Sequence, residues 1–144
     1  MIVWLTLHIL FPLVPFLMEG LIRLAVGHGS VSFDTFRAST LAMAIGLVSI
    51  FVNQSLRTSL HQLADQTEAE SIAGASQGFL IMAIGFFALF GILVLLNALV
   101  NDLAMNNLVG VLRTFQSVAF ISWVVPVTTA VAAQRSFKLR AAVR

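Results

Sequence analysis

The chain has 144 residues, of which 59% are hydrophobic and 10% charged. Soluble domains carry about 25% charged residues, so this composition excludes an ordinary soluble enzyme and leaves no room for a nucleotide-binding fold. The net charge of +2 argues against direct nucleic-acid binding, and the lack of cysteine excludes structural disulfides, thiolate-bound zinc and iron–sulfur clusters.

Four apolar stretches, roughly 2–22, 38–56, 75–100 and 108–133, fill most of the chain. A hydrocarbon core about 30 Å thick is crossed by about 20 helical residues. These lengths predict an all-α integral membrane protein, a four-transmembrane-helix bundle over 1–133. Its helices are expected at about 2–26, 36–60, 74–100 and 108–133, followed by a basic tail over 134–144.

The first helix has no basic leader and continues Met18-Glu19-Gly20-Leu21-Ile22-Arg23 where a cleavage site would stand, so it reads as an uncleaved span. Gly27-His28-Gly29-Ser30 ends it, and Ser32 or Asp34 is suited to cap the second helix. That helix has the weakest spanning pattern. Its dense apolar core covers only 41–52 before Asn53, Gln54, Ser55 and Arg57, so it is expected to run on into water through Leu60 and Leu63. The connection over 61–73 carries Asp65, Glu68 and Glu70 without lysine or arginine. The third helix is the most apolar, broken only by Asn97. A polar turn with Asn101, Asp102, Asn106 and Asn107 leads to the fourth, where Pro126 marks a kink site.

With four spans both termini share a side. That side holds Arg57, Arg135, Lys138, Arg140 and Arg144, and the other holds Arg23, Arg37 and Arg113. The bias of basic residues toward the cytoplasm puts both termini there. The acidic connection then faces inward and the 102–107 turn outward.

His8, Pro12, Pro15, Glu19 and Arg23 recur at helical spacing along one face of the first helix. Glu19 precedes Arg23 by four residues, the favourable order for an ion pair at the interface. The alternative places Glu19 at a wet cavity or ion path, since membrane carboxylates are costly without a use. Arg113 either reaches the surface or pairs with Glu19. Ser39, Ala42, Gly46, Ser49 and Asn53 form a seam of small residues on the second helix, and Gly74, Gly78, Gly85 and Ala88 a similar face on the third. Such faces let helices approach closely, within a protomer or between copies. The alternative is a pore lined by Ser49 and Asn53. The histidines offer no facing pair for haem, and no metal or other cofactor is expected. No phosphate loop, nucleophile motif or catalytic carboxylate pair is present, so no enzymatic activity is expected.

Phe11-Pro12 and Pro15, then Glu19 and Arg23, then Ser32-Phe33-Asp34-Thr35-Phe36 leading to Ala38-Ser39-Thr40-Leu41, resemble small four-span membrane proteins of bacterial anti-phage systems. The Kiwa membrane subunits and, more distantly, the phage lambda exclusion protein RexB are the similar families. The resemblance implies a membrane-embedded homo-oligomer in the bacterial inner membrane. A Kiwa-type protein would sense phage attack and act with a soluble cytoplasmic partner, whereas a RexB-type protein would depolarise the membrane through an ion pore. The docking surface for a soluble partner would lie at Arg57, Asp65, Glu68 and Glu70. A third expectation is an accessory subunit of a transporter or respiratory complex.

Overall fold

The computed structural model describes residues 2–26, 37–60 and 66–137. Among these residues there is no strand, and four helices are long and apolar enough to cross a membrane. They are α1 (Ile2–Val26), α2 (Ala38–Leu60), α3 (Gln66–Asn101) and α4 (Asn106–Phe137). Ser32, Asp34, His28 and His61 lie outside the described residues, as does the tail beyond Phe137.

Proline shapes two of the helices. Residues Thr6–Leu10 of α1 wind as a π-helix, in which the Phe11 amide reaches back to the Thr6 carbonyl. Pro12 follows at once. It has no N–H for the His8 carbonyl and its ring crowds that group, so a wider turn relieves the clash. In α4 the helix breaks at Trp123, between Val109–Ser122 and Val124–Phe137. Pro126 cannot donate to the Ser122 carbonyl, so the ladder fails where the sequence predicts a kink.

Two boundaries differ from expectation. The third helix starts at Gln66 rather than near 74, so Glu68 and Glu70 belong to a helix and not to an open connection. Glu68 sits in its first turn, where a negative charge complements the helix dipole, and Ala69 and Ala73 favour helix. At 36 residues α3 is about 54 Å long, well beyond the roughly 30 Å that a bilayer core requires. The fourth helix continues past 133 to Phe137, with Arg135 in its last turn, where a cation is favoured.

The core is arranged around α2. Of its most apolar window 56% is buried inside the protein, against 11–28% for the windows of the other three helices. This explains why α2 has the weakest spanning pattern: its solvent is mostly protein, and only lipid demands apolar residues all round. Trp4, Val48, Val52, Leu56, Ile72, Phe79, Ala130 and Ala133 make one buried cluster. A second joins Leu41, Ala42 and Ile45 to Phe86, Leu93, Leu96, Leu112 and Ala119. Both clusters draw on α2, α3 and α4, one toward each end of the bundle. Successive helices therefore alternate in direction.

Candidate functional site

Polar side chains collect at the two ends of the bundle and along α2. At one end Glu19 of α1 is the organising group. Arg23 Nε lies 3.1 Å from Glu19 Oε1 and Arg37 Nε 3.4 Å from the same oxygen. The Thr40 hydroxyl donates to Glu19 Oε2. The side chain of Glu19 is only 23% exposed, so its charge needs these partners. The i,i+4 pair was legible in the sequence. Arg37 and Thr40 were not: they reach Glu19 because the exit of α1 meets the entry of α2, which no spacing encodes.

Arg113 makes no ion pair with Glu19 or any other described carboxylate; it stands exposed on α4. It nevertheless shares a cavity with Arg23 and Arg37. That cavity has a volume of about 960 Å³, and Asn97, Asn101, Gln116 and Ser117 add polar groups to its lining. Among the described residues the lining is basic, three guanidiniums beside neutral amides and a hydroxyl, an arrangement able to hold an anion.

His8 belongs elsewhere. It is half-buried and stacks on Trp4, ring centroids 4.6 Å apart and planes 10° from parallel. Its Nδ1 lies 3.0 Å from the Trp4 carbonyl, which assigns the proton to Nδ1. Trp4 Nε1 donates to Ser55 Oγ at 3.0 Å and so ties α1 to α2. Eleven residues separate His8 from Glu19, about 16 Å along a helix, so the predicted polar face of α1 is two separate places.

The small-residue seam of α2 lies inside the protein. Ser39, Ala42, Gly46, Ser49 and Asn53 are all buried. Asn53 Nδ2 donates to the Ser76 carbonyl and to Ser76 Oγ, the latter at 3.0 Å. Ser49 Oγ donates to the Ile45 carbonyl of its own helix at 3.0 Å. A methyl group on Gly46 would meet the Phe87 ring at 3.2 Å. The corresponding glycines of α3 do not join this seam. Around Gly74, Gly78 and Gly85 no described atom beyond the adjoining turns of the helix backbone lies within 4 Å of where a Cβ would stand. Ile72, Ser76, Phe79, Ala83 and Phe86 form the buried face of α3 instead.

Arg57, Glu68 and Glu70 are exposed, at the end away from Glu19; Asp65 lies outside the described residues. Among the described residues no three metal-ligating side chains cluster. The class that emerges is an all-helical protein with four candidate membrane spans. Scanned against protein families, characterised proteins and solved structures, the chain matches none of them.

Proposed function

We propose that the chain is a non-enzymatic, oligomeric component of the bacterial inner membrane. In this reading it serves an anti-phage defence system, sensing membrane perturbation or phage attack and acting with a soluble cytoplasmic partner. The observation that carries the assembly is the open face of α3. Gly74, Gly85 and Gly91 are exposed with nothing packed on them, and Ala88, Ile81 and Ile84 are exposed on the same side. Within hydrocarbon, small residues promote association by letting backbones come close. The exposed Arg57, Glu68 and Glu70 support docking of a soluble protein by charge complementarity. The defence setting rests on the resemblance over residues 11–41.

The buried placement of Ser49 and Asn53, with their hydrogen bonds made inside the protomer, favours assembly over a conducting pore. Glu19, held by two guanidiniums, is likewise poorly suited to an ion path.

The full chain purified in mild detergent is expected to run as a multimer by light scattering. Gly85→Leu should reduce it toward monomer while its helical circular dichroism stays unchanged. A monomeric parent chain would remove the assembly, and sustained ion flux in liposomes would replace this reading with the pore. Plaque counts on cells with and without the protein test the defence role.

A further inference from the structure

We infer that the cleft between Arg23, Arg37 and Arg113 is a site for a phosphate-bearing anion, supplied by the headgroup of an anionic phospholipid. All four helices meet there: α1 through Arg23, the entry of α2 through Arg37, α3 through Asn97, and α4 through Arg113 and Gln116. Three guanidiniums face one described carboxylate, Glu19, which engages two of them. No described carboxylate pairs with Arg113, so among the described residues the cleft holds more guanidiniums than carboxylates. The planar forks of arginine match phosphate oxygens, and the neutral amides of Asn97 and Gln116 can donate to the same group.

Size and lining choose the source of the phosphate. A volume of about 960 Å³ far exceeds a free phosphate and admits a glycerol headgroup with the first part of its chains. Val100, Leu112 and Phe120 supply an apolar wall beside the arginines, the pairing of surfaces an amphiphile needs. The arginines lie near the ends of spans, at the depth where headgroups sit. Basic pockets between membrane helices bind acidic headgroups at the cytoplasmic leaflet, and the same pairing of arginine with phosphate holds at either leaflet. This inference rests on the membrane location alone and not on the defence role or the oligomer.

The test uses the full chain in neutral detergent, titrated with phosphatidylglycerol and with phosphatidylcholine of the same acyl chains, bound lipid being read by native mass spectrometry. Phosphatidylglycerol is expected to bind at least tenfold more tightly. Arg113→Gln should remove most of that preference, Arg113→Lys part of it, and Arg57→Gln at the other end none. Arg113 is exposed and unpaired with described carboxylates, so these variants should keep the fold, which circular dichroism checks. Glycerol 3-phosphate provides the second arm. Failure to displace the lipid at millimolar concentration upholds a lipid site, and displacement overturns the lipid as source. Equal binding of the two lipids, or an unchanged preference in Arg113→Gln, overturns the phosphate site. Either result can appear with the oligomer intact, so it is distinguishable from failure of the assembly.

Discussion

Among the described residues Glu19 is the one carboxylate held in ion pairs, and its neighbours differ in kind. Arg23 stands one turn along the same helix, while Arg37 and Thr40 belong to the next element. Removing the charge leaves the guanidiniums of Arg23 and Arg37 close together around a neutral amide. Glu19→Gln is therefore expected to lower stability by about 1–2 kcal/mol, read as thermal unfolding in detergent. The Arg37 side chain is 60% exposed, so screening makes its own deletion much milder. In Glu19→Gln/Arg37→Gln the repulsion is relieved, and the double variant should lose less than the two single losses added together. Strict additivity would show that the pair carries no coupling.

Among the elements, α2 and α3 form the axis of the molecule, and they mate small against large. In the seam of α2, Gly46 stands against the Phe87 ring of α3, and Ala42 shares a buried cluster with Phe86. Gly46→Leu has to displace that ring and is expected to cost about 1–3 kcal/mol. Gly74→Ala meets nothing and should gain up to about 1 kcal/mol from helix propensity. Chemical unfolding of the two variants compares them directly, and equal effects would mean that Gly46 and Phe87 do not touch. The α2 seam was legible as a run of small residues at heptad-like spacing. Its partner face on α3 was not, because the same rule selected Gly74, Gly78 and Gly85 and passed over Phe79 and Phe86. A rule that seeks small residues on both helices misses an interface that uses them on one. The start of α3 was hidden for a related reason: Gln66-Thr67-Glu68-Ala69-Glu70 is helix-compatible but polar, and hydropathy alone stops where the apolar run stops.

Over the whole molecule, alternating helix direction sorts the charges into two ends. Arg23, Arg37 and Arg113 gather around the cleft at one end, and Arg57, Glu68, Glu70 and Arg135 lie at the other. In the proposed orientation, argued from the basic-residue bias, the second end with the proposed docking surface faces the cytoplasm. The three arginines of the cleft are the main opposition to that bias, and in the proposed orientation a headgroup site would account for their standing together. The chain contains no cysteine, so single cysteines report this orientation without background. Asp102 and Ser136 are both exposed and lie near opposite ends of α4. With a thiol reagent that cannot cross the membrane, Asp102→Cys is expected to label in spheroplasts whose inner membrane is intact. Ser136→Cys should label only after that membrane is opened. The reverse pattern would move the cleft to the cytoplasmic leaflet and place Glu68 and Glu70 outside, where no cytoplasmic partner can reach them. Labelling of both in intact spheroplasts would contradict the crossing of α4, because that single span puts the polar turn at 102–107 and the end of α4 on opposite sides.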